Sequence, residues 1–433
     1  MQEEILQRLE IEALNPMQEA AITAARKNDT IVLSPTGSGK TLAFLLAVLE
    51  RLDENATGVQ AMVLVPSREL ALQIESVFKA MGTGYKVTCC YGGHSKKTEE
   101  NLLLEAPALL VGTPGRVADH LQHQSFDPEM IHTLVLDEFD KSLEMGFQKD
   151  MSYIIEAMSS LERRIFTSAT PLDRLPAFVD ARHPVTLDFL SNTETAPQLT
   201  MKVVRTTSVS RLDTLFSLVC AIGAARTLIF CNHRDAVDRI SELMSGYGLV
   251  HATFHGGMEQ PDRERALMKF RNGTSRILIV TDLASRGLDV PEIESIVHYQ
   301  FPLTEEAFIH RNGRTARMHA TGTVYLMLDE YEKPPYLNDK PEEFDLPKYD
   351  RLPPETEWDT LYFSAGKKEK ISKGDVAGLL LKKGGLKKED VGMIEIKDDA
   401  AFAAVKREKA AAVVEFLQYE KLKGKRVKTA IAN

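Results

Sequence analysis

The chain has 433 residues, 43% apolar and 27% charged, with a formal net charge of −9. That length leaves room for two or three domains of ordinary soluble composition. No stretch approaches 18 uninterrupted apolar residues, so no membrane span or membrane partner is expected. Cys89, Cys90, Cys220 and Cys231 form no Cys-x-x-Cys pair, which argues against a zinc site or redox motif and for a reducing, cytoplasmic setting. The start, Met1-Gln2-Glu3-Glu4, carries no basic and hydrophobic run of a secretory signal.

Residues 1–29 read as a helical lead-in, interrupted at Asn15-Pro16-Met17-Gln18, where proline suits a helix's first turn. Gln18 is either a surface residue or a reader of an adenine edge, its amide serving as donor and acceptor together. The run Thr30-Ile31-Val32-Leu33 predicts a buried parallel strand, and apolar spacing over 41–52 predicts a helix. Between them stands Ser34-Pro35-Thr36-Gly37-Ser38-Gly39-Lys40-Thr41, with serine at a position that is glycine in the general phosphate-loop pattern. Gly37 and Gly39 let backbone N–H groups close around a phosphate. Lys40 can reach the β- and γ-phosphates, Thr41 can ligate Mg²⁺, and the helix N-terminus adds positive potential. A nucleotide site is therefore expected over Ser34, Thr36, Gly37, Ser38, Gly39, Lys40 and Thr41.

Apolar strands expected at 61–65, 87–91 and 108–111 run into Pro66-Ser67-Arg68-Glu69-Leu70, Gly92-Gly93 and Gly112-Thr113-Pro114-Gly115-Arg116. Ligands of an open parallel sheet bind beyond the carboxyl ends of its strands. Each terminus alone reads as an ordinary turn; together they suggest a row of contacts for a phosphate backbone. The run Thr133-Leu134-Val135-Leu136 leads into Asp137-Glu138-Phe139-Asp140, a Walker B arrangement in which Asp137 suits Mg²⁺ through water and Glu138 suits general-base activation of water. Acids also begin helices as simple caps. The hydroxyls of Ser168-Ala169-Thr170 are placed to link these acids to another domain.

A polar break ends at Pro197, and strand-and-helix alternation resumes with strands expected at 226–230, 276–280, 295–297 and 323–327. His310-Arg311-Asn312-Gly313-Arg314-Thr315-Ala316-Arg317 puts Arg314 and Arg317 three apart, on one helical face. They serve either structural salt bridges or γ-phosphate, the latter worth roughly 10³–10⁵ in rate for an arginine finger. Residues 339–359 hold four prolines, eight acidic and three basic residues and read as an extended connector. From Ser364 onward there are 17 basic and 10 acidic residues, against 36 and 52 in the rest, so a basic tail follows an acidic body. Such a tail either takes an anionic partner or presents a solvated lysine-rich surface. Strands at 360–363, 393–396, 401–405 and 426–431 with helices at 373–383 and 410–418 give a βαββαβ order matching an RRM-type sheet. Tyr362 and Phe402 are its candidate stacking aromatics, or simply core.

In order, these segments strongly resemble the DEAD-box ATP-dependent RNA helicases of superfamily 2 over roughly residues 1–360. Further matches are Phe230–Asn232, His255-Gly256 with Gln260 and Arg263, and 281–289. The resemblance implies an α/β fold of two tandem RecA-like parallel-sheet domains that close on ATP, Mg²⁺ and RNA, plus a small C-terminal α+β RRM-like domain. It assigns Gln18 to adenine, Asp289 to the ribose, and Arg314 and Arg317 to the γ-phosphate. Pro66, Arg68, Gly93, Thr113, Arg116 and Arg286 fall in the RNA-facing set. The chain departs from the family at Phe139, usually alanine, at Asn15, usually threonine, and at Asn312 and Ala316, usually isoleucine and glycine. The tail is similar to the RNA-binding domain of bacterial DbpA-type helicases, which implies structured ribosomal RNA and ribosomal precursor particles as partners. The expected domains are 1–191, 201–338 and 360–433, joined by a linker at 192–200 and the connector at 339–359. Two other classes share these features, a superfamily 2 DNA translocase and a nucleotide-gated RNA clamp that does not unwind.

Overall fold

The computed structural model describes residues 2–35, 37–93, 95–172, 174–190, 198–207, 210–282, 293–315, 321–334, 336–337, 341–347 and 351–432. Two compact units are present, one within residues 2–190 and one beginning at Gln198.

The first unit is built on β1 (Thr30–Leu33), β2 (Ala61–Leu64), β3 (Val87–Cys90), β4 (Leu109–Gly112), β5 (Thr133–Leu136), β6 (Arg163–Ser168) and β7 (Val185–Asp188). They lie in the order β3-β4-β2-β5-β6-β1-β7, every pair parallel. All four positions of each of the first five strands are buried. That explains their unbroken apolar runs, because helices cover both faces of the sheet. One face packs Lys40–Leu49 and Arg68–Met81; the other packs Pro114–Gln122 and Gln148–Glu156. The order has a consequence for function. Carboxyl ends of β5, β6 and β1 adjoin on one side of the sheet edge, and those of β3, β4 and β2 on the other.

The second unit repeats the plan with β8 (Gln198–Thr206), β9 (Thr227–Cys231), β10 (Ala252–Phe254), β11 (Ile277–Thr281), β12 (Ser295–His298), β13 (Thr321–Asp329) and β14 (Glu342–Glu343). Their order is β10-β11-β9-β12-β13-β8-β14, again all parallel. β14 lies inside the proline-bearing segment read as a plain connector. Its two exposed glutamates carry no apolar signal, so only the pairing with β8 reveals it.

A C-terminal domain in the same unit comprises β15 (Trp358–Phe363), β16 (Val391–Ile396), β17 (Ala401–Lys406), β18 (Lys421–Leu422), β19 (Lys425–Arg426) and β20 (Thr429–Ile431), with helices Lys373–Lys382 and Arg407–Leu417. The antiparallel sheet runs β16-β17-β15-β20, giving the expected βαββαβ plan. The single last strand expected at 426–431 is divided. Gly424, at φ 81°, turns the chain so that β19 pairs with β18, and only β20 joins the sheet. Leu361, Phe363, Ala403 and Val405 face the helices. Alternate residues on the other face meet the end of helix Gln260–Arg271 and the turn after it. Thr360 Oγ1 accepts from Asn272 Nδ2 at 3.1 Å and lies 2.8 Å from Thr274 Oγ1. Thr356 Oγ1 donates to the Thr274 carbonyl at 2.9 Å, and Arg271 pairs with Glu395 at 3.3 Å.

Candidate functional site

Helix Lys40–Leu49 starts at Gly39, in the left-handed region at φ 87°, with no side-chain cap on its first N–H groups. Gly37 is also left-handed, at φ 81°. A Cβ at position 39 would come within 2.4 Å of Gln18 Nε2, and the left-handed backbone itself favours glycine there. Asn15 and Gln18 form a reciprocal cap on helix Pro16–Ala25. The same side chains grip the loop: Gln18 Nε2 donates to the Gly39 carbonyl at 3.1 Å and Asn15 Nδ2 to the Ser38 carbonyl at 2.9 Å. Bracing the loop was not anticipated for either residue. Gln18 Oε1 accepts from Asn15 N, which leaves the amide one acceptor lone pair and one donor hydrogen for a base edge. Lys40 Nζ donates to the Ser34 and Pro35 carbonyls at 2.5 and 2.7 Å, and Ser34 Oγ donates to Ser38 Oγ at 2.6 Å. Thr36 lies outside the described residues.

Beside this loop, across β6, sit the acids that end β5. The Thr167 hydroxyl donates to Asp137 and accepts from the Glu138 N–H at 3.1 Å. Burial first, and then the Glu138 charge, push the Asp137 carboxyl up to about 6. Glu138 holds a left-handed backbone at φ 46°, and its Oε2 is buried with no hydrogen-bond partner among the described residues. A non-glycine residue in that conformation is strain of the kind found at functional sites. Two crowded carboxylates, one with an unsatisfied oxygen, form a donor set that fits a hydrated divalent cation and a bound water. The uncapped helix end and Lys40 fit a polyphosphate. Thr170 donates its hydroxyl to Asp140 Oδ2 at 2.9 Å, the contact to the acids that the sequence suggested, while Ser168 Oγ closes the local turn on the Thr170 carbonyl at 2.6 Å. Phe139 is fully buried, edge-on to Phe166 with ring centroids 5.4 Å apart.

The other half of the edge gathers the remaining strand ends. Ser67 caps helix Arg68–Met81 just after Pro66, and the Arg68 guanidinium lies 4.7 Å from the Tyr91 ring centroid. Gly93 is left-handed at φ 90°, and a Cβ there would stand 3.6 Å from Arg68 Nη1. Thr113 N donates to the Cys90 carbonyl at 3.0 Å. Arg116 Nε reaches the Tyr91 carbonyl and Glu99 Oε2, both at 3.2 Å. Glu99, fully buried, also accepts from Tyr91 N at 2.8 Å and lies 2.6 Å from His120 Nε2. Arg116 thus locks two neighbouring strand ends together from beneath. Neither Glu99 nor His120 carries a sequence signal, since each sits in a helix of ordinary composition.

In the second unit the helix Glu305–Asn312 stops at Gly313, and Thr315 bridges to Ile293. Arg314 therefore lies past the helix end. Arg317, Arg286 and Asp289 lie outside the described residues. The residue that organises this region is Arg311, 1% exposed. It pairs with Asp282 through two bonds of 2.6 and 2.7 Å, donates to Asn232 Oδ1 at 2.7 Å and to the Gln300 carbonyl at 2.7 Å. Asn312, isoleucine in the family resembled, meets His298 Nε2 at 2.9 Å. A proton on Nε2 leaves Nδ1 to accept from Arg311 Nη1 at 3.4 Å, so one neutral tautomer satisfies both contacts.

Burial, then the Arg311 charge, lower the His298 imidazole to about 3. Its folded pKa lies below its unfolded one, so the unfolded chain binds the proton first as pH falls. Stability is complete above about pH 6.5 and drains below it, by at most about 1.4 kcal/mol per pH unit from this group. Thermal unfolding of the second unit between pH 7 and 5 should show that loss, and His298→Gln should flatten it.

Comparisons with known proteins agree with this geometry. Residues 15–177 match the DEAD/DEAH box helicase family, 210–319 the helicase conserved C-terminal domain and 360–430 the DbpA RNA binding domain. The chain is 31% identical to the ATP-dependent RNA helicase DbpA of Escherichia coli (strain K12), over 95% of this chain and 93% of that one. It is 33% identical to the ATP-dependent rRNA helicase RRP3 of Scheffersomyces stipitis, over 83% and 75% of the two chains. Among solved structures it is similar to S. cerevisiae Dbp5 bound to RNA and ADP BeF3, with a TM-score of 0.67 and 26% identity over 76% of this chain and 87% of that one. With a phosphate loop and paired acids on one sheet edge, two RecA-like sheets and a basic RRM-like tail, the chain belongs to the DEAD-box ATP-dependent RNA helicases.

Proposed function

We propose that the protein locally separates short RNA duplexes in structured ribosomal RNA during ribosome assembly in the cytoplasm, hydrolysing Mg²⁺-bound ATP as it does so. The observation that carries this reading is the division of one parallel-sheet edge. The ends of β1, β5 and β6 hold Lys40, Asp137, Glu138 and Thr167, while those of β2, β3 and β4 present Pro66, Arg68, Gly93 and Thr113. Lys40 and the loop around Ser34, Gly37, Ser38 and Gly39 would hold the triphosphate, with Thr36 in the same loop. Thr41 and Asp137 would hold Mg²⁺, which when bound supplies neutralisation of phosphate charge. Glu138 takes the proton of the attacking water through its unsatisfied oxygen. Gln18 turns its remaining amide groups to the adenine, Asp289 to the ribose, and Arg314 and Arg317 stabilise charge on the γ-phosphate. Arg68, Thr113 and Arg286 bind RNA phosphates, and Arg116 holds the strand ends that present them.

The C-terminal domain's match to an RNA-binding family and the rRNA named for one relative support ribosomal RNA as target. Deleting residues 360–433 is expected to weaken binding of structured RNA at least tenfold and to shallow its salt dependence, since lysine–phosphate contacts release counterions. Basal ATP turnover should persist. Anisotropy titrations at 50 and 200 mM salt check this, and unchanged affinity and slope would remove the ribosomal reading. ATPase stimulation by an RNA strand but not by its DNA counterpart separates the helicase from a DNA translocase.

A further inference from the structure

The outward sheet face of an RRM-like domain is where bases ordinarily stack. In this protein that face is already covered. Thr360 is fully buried against Asn272 and Thr274, Tyr362 lies beneath the Arg265 guanidinium at 5.9 Å, and Phe402 is 3% exposed with its ring edge-on to Tyr362. Both aromatics considered for stacking are thus engaged at an internal contact.

Two large rings in the same domain are not. Phe416 is 68% and Tyr419 84% exposed, while Ala410, Val413 and Leu417 of the same helix fill the core. The rings stand three residues apart at the helix end, on the helical side of the domain. The β18–β19 hairpin follows at once, and its Lys421, Lys423, Lys425 and Arg426 are all exposed. No acid occurs between 421 and 433 in the sequence; in space Asp375 Oδ2 lies 3.5 Å from Lys423 Nζ, and Glu420 lies 3.8 Å from Lys383. Lys423 Nζ donates to the Lys370 carbonyl at 2.7 Å, which holds the hairpin against a second lysine-bearing loop. Exposed aromatic faces beside a run of cations match what an unpaired RNA segment requires, π-surfaces for bases and positive charge for phosphates.

We propose that the protein grips RNA through Phe416, Tyr419 and the Lys421–Arg426 hairpin, with unpaired bases stacked on the two rings, and not through the outer sheet face. This rests on the RNA-helicase reading above and assigns the tail's contact surface. Charge favours RNA over a protein partner, because the hairpin carries no acid of its own and, with Lys423 paired to Asp375, still presents Lys421, Lys425 and Arg426 to a polyanion.

The test uses the full-length chain and a labelled RNA stem-loop with a single-stranded flank. The double variant Phe416→Ala/Tyr419→Ala is expected to lose affinity at least tenfold. Lys421→Gln/Lys425→Gln should also weaken binding and lower the salt slope by about two. Basal ATPase and its stimulation by saturating poly(A) should stay at parental levels in both. All four side chains are exposed, so melting temperature should hold. Arg265→Ala/Tyr362→Ser, on the covered face, should change affinity less than about twofold. Parental affinity in the ring variant, or a loss confined to the covered-face variant, would overturn the proposal. So would loss of self-association in sedimentation with RNA affinity intact, since the patch would then be a protein interface. If the parent chain itself prefers poly(A) to the stem-loop, the ribosomal reading falls along with it.

Discussion

Glu138→Gln is expected to lower RNA-stimulated phosphate release by roughly 10²–10⁴-fold, the range that general-base catalysis contributes. Its shape is almost unchanged, so the left-handed turn at 138 and the Thr167 contact to its N–H should survive. Nucleotide affinity should therefore hold while turnover collapses. Lys40→Ala should behave differently. It removes the ammonium now held on the Ser34 and Pro35 carbonyls, and with it the charge that must face phosphate. Nucleotide binding and turnover should fall together. Rapid-quench phosphate release and a fluorescent nucleotide titration distinguish the two patterns. Full turnover in both variants would end the assignment of this edge as the hydrolytic centre.

The second large effect concerns Phe139→Ala, which writes the usual alanine of the family signature into this chain. The substitution should destabilise the first unit by about 3–5 kcal/mol, as large-to-small changes in a close-packed core do. Phe139 is fully buried, edge-on to Phe166, in a layer that includes Leu136 and Met151. The carboxylates at 137, 138 and 140 are retained, so turnover below the new melting point should stay near parental. Denaturant unfolding and ATPase measured on one preparation check both halves. An unchanged midpoint would mean that the ring fills no space of its own.

The parts of the centre that could be read directly are contiguous ones. The loop at 34–41 and the acids at 137–140 show themselves because strand, glycine turn, helix or acidic pair follow within a few residues. What escaped depends on strand order. Thr167 matters because β6 lies beside β5, and Asn15 because its helix abuts the loop. Glu99 and Arg116 matter because β3 and β4 are neighbours. Continuous apolar runs announce a covered strand but not its partner. Arg311 was hidden for a related reason: it stands among several arginines, and only the convergence of Asn232, Asp282 and Gln300 singles it out. In the tail, the βαββαβ order was legible from periodicity. The covered sheet face was not, since the polar residues that cover it look like solvent-facing ones.

The proline-bearing stretch before the tail is fastened at both ends, at Glu342–Glu343 to β8 and at Thr356 and Thr360 to the turn after helix Gln260–Arg271. A tail holding RNA would pull on the neighbouring sheet through these two attachments.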